Sequence, residues 1–292
     1  MSGPEGVGVW SIELRFHRER EEVAEAAAEL EGLGYTALFI PGARGGDLMG
    51  AAERLLTATA GVPVALGVAN LWKHDAAELA ADHARLRAEH GARLLTGIGV
   101  SHAEAVDADE PGRYRKPLEV VGKYLDRLDG APMPVRGDER FLGALGPRML
   151  GLSAARTLGA HPYFVSVDHT ATARELLGPE AWLAPEQAVV LETDPVAARA
   201  VARAHMERYL AAPNYVRNLQ RSGFDEHELA DGGSDRLVDA LVAWGDEQAI
   251  LDRVAEHRDR GADHVCVQVL TAGEGLPRVE WRRLAAALTH AG

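Results

Sequence analysis

Short apolar runs alternate with longer amphipathic stretches along the whole chain, and this alternation constrains the fold more than any single motif. The runs are Val7 to Trp10, Ala37 to Ile40, Val62 to Asn70 and Leu94 to Val100, then Phe141 to Leu145, Ala160 to Val165, Ala188 to Leu191 and His264 to Leu270. Each has four to nine residues, and several are rich in valine. Runs this short and this continuously apolar suit strands buried on both faces, as in parallel sheets. Between them lie helical patterns. Arg18 to Leu33 repeats apolar residues at helical spacing and stops at Gly34, and Asp75 to His90, opened by Asp75 as N-cap, stops at Gly91. Pro147 to Leu158 starts on a proline, and further helices fall at Pro195 to Leu210, Asp246 to Arg260 and Pro277 to His290. Strand and helix in alternation predict an α/β fold with a parallel sheet. Eight units in 292 residues average about 36 residues each, the size of a (β/α)8 TIM-barrel repeat.

The expected architecture is therefore a single barrel domain over residues 1–292, with a helical insertion at about 211–245 between strands seven and eight. Ser101 to Tyr114 is a second oversized, polar connection without a strong pattern. Long insertions in barrels tend to form lids or interfaces.

Charge and cysteine content narrow the function. With 31 basic and 44 acidic residues the net charge is −13, which repels phosphate backbones and makes nucleic acid a poor partner. A lone cysteine, Cys266, leaves no internal disulfide and fits a reducing cytoplasm, and its place within VCVQVL suggests a core residue. No run approaches the roughly 18 apolar residues of a membrane span, and no secretory signal is evident. No nucleophile elbow, phosphate loop or complete G-x-G-x-x-G occurs. H-E-x-x-H is absent too, and His83 and His90 read as surface histidines, so no metal site is expected.

Chemistry in such a barrel belongs at the strand C-termini. Trp10, Trp72, His102, His161 and Tyr163 map to that rim. Gly146 and Pro147, with Arg148 adjacent, put backbone amides at a helix start directly after a strand, an arrangement that attracts anions. A planar ring with a phosphate tail matches both features. Arg44, beside Gly45 and Gly46, could line a substrate mouth, and Asn214 and Tyr215 of the insertion could line the same pocket.

The segments VPVALGVANLW, LLTGIGVSH, FLGALGPRMLGLSAARTLGAHPYFVSVDHT, PEQAVVLETDP, GGSDRLVDALVAWGDEQAI and GADHVCVQVL cover most of the chain. In their order they resemble the luciferase-like monooxygenase superfamily, and most of all its actinobacterial coenzyme F-420-dependent oxidoreductases. The resemblance implies hydride transfer between the deazaflavin coenzyme F-420 and a small organic substrate, in a cytoplasmic homodimer. An FMN-dependent monooxygenase is the alternative, and a non-catalytic flavin-binding barrel a second. It implies a cis peptide at Ala69-Asn70 supporting the ring, with Val100, His161 and Tyr163 beside it. It places the cofactor phosphate on Ala144, Leu145, Gly146, Pro147 and Arg148. His102 stands where deazaflavin relatives often carry Glu, and is the expected catalytic residue. After strand two, where one relative has a histidine, this chain has Pro41, Gly42, Ala43, Arg44, Gly45 and Gly46, so that relative's sugar-phosphate substrate does not carry over.

Overall fold

The structure is a computed structural model that describes residues 3–42 and 45–290. Ala43 and Arg44, and with them the expectation that Arg44 lines a substrate mouth, lie outside the described residues.

The first half runs β1 (Gly6–Trp10), α1 (Glu13–Phe16), α2 (Arg20–Gly32), β2 (Leu38–Ile40), α3 (Leu48–Ala58), β3 (Val64–Asn70), α4 (Ala76–His90) and β4 (Leu94–Gly99). Then come α5 (Ala103–Asp109), α6 (Pro117–Asp129), β5 (Arg140–Leu142), α7 (Pro147–Arg156), β6 (Gly159–Ala160) and α8 (Val167–Leu177). The rest is β7 (Trp182–Leu183), β8 (Glu186–Val190), α9 (Pro195–Leu210), α10 (Pro213–Arg221), α11 (Glu226–Leu229), α12 (Asp235–Leu241), β9 (Val242–Trp244), α13 (Glu247–Asp259), β10 (His264–Val269) and α14 (Arg278–His290).

The sheet order is β7-β6-β5-β4-β3-β2-β1-β10-β8-β9, with every pair parallel. Its two ends meet, because β7 and β8 are halves of one extended segment interrupted at Pro185. On one side that segment bonds to β6 and the loop leaving it: Ala184 N–H donates to Ala160 O, and Glu186 N–H to Pro162 O. On the other side Asp263 N–H donates to Leu183 O and Cys266 N–H to Pro185 O. Counting β7 and β8 as one strand, and leaving aside β9, which pairs only with β8, closes an eight-stranded (β/α)8 barrel.

Two expectations about this segment need correction. Strand seven begins at Trp182 and not Ala188, because Glu186 and Gln187, which break the apolar run, are themselves buried. Val242–Trp244, expected to be helical, forms β9 and pairs with Ala188–Val190. Residues 211–245 thus hold α10, α11, α12 and a strand.

Apolar residues fill two layers. One lies between sheet and helices, where Leu30, Leu55, Leu86 and Leu125 are fully buried. The other is the barrel interior, with Trp10, Phe39, Phe141, Trp182 and Cys266. Large rings there face small neighbours. A side chain at Gly97 would lie 2.5 Å from the Phe141 ring, so glycine at this point makes room for the aromatic layer. Asp75 caps α4 by accepting from Ala77 N at 2.8 Å and Glu78 N at 3.4 Å. His83 is not a surface residue. It is buried on the face of α4 that packs on β4, where its Nδ1 meets the Thr96 hydroxyl at 2.9 Å, and burial lowers its pKa to about 4. No helix among the described residues is long and apolar enough to cross a membrane.

Candidate active site

The C-terminal ends of the strands open into a cavity of about 540 Å³. Its floor begins at β3. Between Leu66 and Ala69 the ladder with β4 shifts: three steps along β3 match two along β4, Thr96 to Ile98. The extra residue makes a bulge, and within it Gly67-Val68 is a cis peptide. This corrects the expected position, Ala69-Asn70, by two residues. Gly67, Val68 and Asn70 line the cavity, whereas Ala69 faces the layer beneath the helices. The glycine is dictated by proximity, since a Cβ on residue 67 would stand 2.8 Å from Trp10 Nε1 and 3.4 Å from His161 Nε2.

Both of those nitrogens are buried and have no hydrogen-bond partner among the described residues, and both side chains line the cavity. His161 Nδ1 sits 2.6 Å from Ala184 O. A carbonyl only accepts, so Nδ1 carries the proton and Nε2 presents its lone pair. Burial holds the ring neutral, with a pKa of about 4. Tyr163 packs on Trp10 with ring centroids 5.1 Å apart. Its hydroxyl donates to Gln268 Oε1 at 2.8 Å and pairs with the Tyr209 hydroxyl at 2.8 Å. Burial and neighbouring Tyr209 push its pKa well up, so it stays a phenol.

Val100 and His102 line the β4 side. His102 precedes α5 in extended backbone, and its Nδ1 lies 2.9 Å from Asn214 Oδ1 on α10. Its ring also meets Tyr215, centroids 5.3 Å apart. The insertion thus supplies the partner that fixes the histidine. Burial lowers the pKa of His102, while the Asn214 bond and Glu104 oppose this. At neutral pH His102 is therefore a neutral ring with Nδ1–H committed to Asn214 and Nε2 able to accept a proton.

On the β5 side Ala144, Leu145 and Gly146 line the cavity, and Gly146 is the N-cap of α7 with Pro147 at its first position. Pro147 and Arg148 are exposed and outside the lining. The cation over this helix start is instead Arg221 of α10, whose Nη2 lies 3.8 Å from where a Gly146 Cβ would be. Arg208 and Arg217 join it on the same wall. None of the three forms an ion pair among the described residues, and no carboxylate lines the cavity. In a chain of net charge −13, this is a locally cationic mouth over an aromatic floor.

Asn214 and Tyr215 do line the cavity. Trp72 does not; its indole N–H donates to Val100 O at 2.8 Å. The three arginines escape sequence reasoning, because no local pattern relates Arg221 to a glycine 75 positions earlier. Glu186 escapes it too. It is buried near the floor, accepts from Phe164 N at 3.1 Å through Oε2, and leaves Oε1 without a partner.

No protein-family model and no curated protein matches the chain. Solved structures do match its fold. A coenzyme F420 dependent tetrahydromethanopterin reductase from Methanopyrus kandleri superposes with TM-score 0.75 at 16% identity, over 99% of each chain. An F420-dependent secondary alcohol dehydrogenase in complex with an F420-acetone adduct gives 0.71 at 13%, over 92% of this chain and 94% of that one. The oxygenating constituent of 3,6-diketocamphane monooxygenase from Pseudomonas putida, in complex with FMN, gives 0.70 at 14%, over 97% and 96%. The chain shares the fold of these structures.

Proposed function

We propose that this chain is an oxidoreductase that transfers hydride between coenzyme F-420, bound in the barrel-mouth cavity, and a small organic substrate. The observation that carries this is the character of the cavity: an aromatic floor beside a backbone bulge, and a rim that among the described residues has three arginines and no carboxylate. A flat conjugated ring with an anionic tail fits both parts. Structural neighbours described as F420-dependent support the deazaflavin, and the neighbour holding FMN supports the alternative.

The residues fit such a group. The bulge at Gly67-Val68 and the end of β4 at Val100 would flank the ring, with His161 and Tyr163 at its inner edge. The Arg148 backbone N–H, at the positive end of α7, and the Arg221 guanidinium would hold the phosphate; Pro147 has no N–H, and those of Met149 and Leu150 donate to Gly146 O. When bound, the group supplies two-electron redox chemistry; the protein orients it, excludes water and handles one proton. His102 is placed for that proton: Asn214 fixes its tautomer, and its neutral state at physiological pH lets it accept in the oxidising direction and return the proton in the other.

Absorbance titration with coenzyme F-420 and with FMN tests the reading, and oxygen consumption with reduced FMN separates hydride transfer from monooxygenation. Saturable F-420 binding without oxygen uptake is the expected result. FMN binding with substrate-dependent oxygen uptake would convert the assignment to a monooxygenase, and binding of neither compound would remove it.

A further inference from the structure

Three arginines line the cavity rim, and one suffices for a phosphate at α7. Arg221 faces Gly146 there and is braced by Asn218, whose Oδ1 accepts from its Nη2 at 3.0 Å. Arg208 lies beside the Tyr209 ring, 5.8 Å from its centroid. Arg217 has open donors. Its Nε donates to Pro213 O at 3.0 Å, and its Nη groups have no partner among the described residues.

The helix decides where those donors sit. Arg217 and Arg221 are one turn apart on α10 and share a face. Side chains lean toward a helix N-terminus, and the bond to Pro213 O draws Arg217 further that way. That end of α10 carries Asn214, whose Oδ1 holds His102 Nδ1 at 2.9 Å. At about 1.5 Å of rise per residue, Arg217 stands about 4.5 Å along the axis from Asn214, and Arg221 about 10.5 Å. Tyr114 closes the same end of the cavity, its hydroxyl 3.5 Å from Ser101 O, the carbonyl just before His102. Burial raises the pKa of Tyr114, and the nearby Arg217 charge opposes this. A cation, a phenol and the proton-handling histidine therefore meet one helical turn from the Gly146 corner. Among the described residues no carboxylate lines the cavity to neutralise that cation.

We propose that Arg217 is a carboxylate anchor, and that the substrate of the proposed hydride transfer is an apolar organic acid held by it beside His102. The inference rests on the proposed function and names its substrate class. A guanidinium with both Nη groups open takes a carboxylate in its fork. The body of the acid meets Ile12, Phe16, Tyr114 and Tyr215, which line the same cavity. Because the phosphate belongs to Arg221, the two anions occupy separate turns of α10.

Benzoate is the probe, with benzamide as its neutral isostere. Each is titrated by ligand-observed NMR against the protein as purified, and again with saturating FMN or coenzyme F-420. Benzoate should bind saturably, and benzamide about three- to fivefold more weakly, a modest factor because Arg217 is exposed. Arg217→Ala should remove that difference by weakening benzoate alone, and Arg221→Ala should leave it in place. Benzoate should stay bound with either coenzyme present. Absence of saturable benzoate binding overturns the proposal, as does equal affinity for the two probes or a difference that survives Arg217→Ala. Displacement of benzoate by either coenzyme overturns it too, since Arg217 then serves the coenzyme's own anion. If neither coenzyme binds, the proposed function falls, while the anchor stands or falls by the benzoate comparison on the protein as purified.

Discussion

Glu186 carries a stability cost that depends on pH, and its removal is measurable. The side chain is buried against Tyr163, Cys266 and Phe164, has one hydrogen bond to a backbone N–H, and has no cation at hand. Burial raises its pKa from 4.5 to about 8, against the lowering effect of the Phe164 bond. For an acid whose folded pKa is raised, the folded state binds the proton more tightly than the unfolded one. Stability is thus unaffected below the unfolded pKa and falls with rising pH until the folded pKa is passed. At about 1.36 kcal/mol per unit, the loss between pH 5 and pH 8 is about 3 kcal/mol. Glu186→Gln keeps an acceptor for Phe164 N–H and removes the titration. Urea unfolding of both proteins at pH 5 and pH 8 gives the double difference, from which all other titrating groups cancel. The variant should gain about 3 kcal/mol on the wild type across this interval. Parallel pH dependence of the two proteins would refute the claim that Glu186 is buried without compensation.

Three further outcomes are expected. Arg221→Ala should weaken FMN binding about fivefold, since the guanidinium is exposed and its contact screened, while riboflavin, which lacks the phosphate, binds as before; equal losses would mean that Arg221 does not hold the anion. His102→Asn should slow turnover of a substrate found by screening by about 10²- to 10⁴-fold with cofactor affinity within a few-fold. In the wild type the oxidation rate should fall in acid with an apparent pKa below 6.5, as His102 protonates, and this limb should vanish in His102→Asn; a variant with the limb intact would exonerate the histidine. Gly97→Ala should lower stability by about 1–3 kcal/mol, because the methyl meets the Phe141 ring and the Leu66 carbonyl, and an unchanged thermal midpoint would show that the barrel interior yields more than close packing allows.

Features governed by neighbours in sequence were legible from the chain. Strands buried on both faces read as unbroken apolar runs, and the caps at Asp75 and Asp246 announce α4 and α13 through side chains that bond their own helix starts. Features governed by neighbours in space were not. His83 is buried where Thr96 on the next strand, at 2.9 Å, and Glu139, at 3.7 Å, face its two ring nitrogens. The bulge fell two residues from its expected place, since what fixes it is the approach of Trp10 and His161 to Gly67. Val242–Trp244 continues a helical pattern without a break, and becomes a strand because Ala188–Val190 lies open beside it. Trp10 at the rim was visible, but the burial of its N–H beside Gly67 of β3 belongs to the packed barrel.

The pairing of β8 with β9 has a consequence for anyone wishing to simplify this molecule. Past Glu186 the seventh strand parts from the loop leaving β6, and the vacated hydrogen-bonding edge is taken by Val242–Trp244. Phe164, Tyr215, Leu219 and Met206 pack into that parting as a separate apolar cluster with α9, α10 and α12. The inserted segment is therefore a patch over a tear in the barrel. Excising residues 195–244 to obtain a minimal scaffold would leave a naked strand edge beside exposed aromatic surface, which is a template for self-association. Trimming belongs elsewhere, and redesign of ligand preference can work on α10 while β9 stays as the suture.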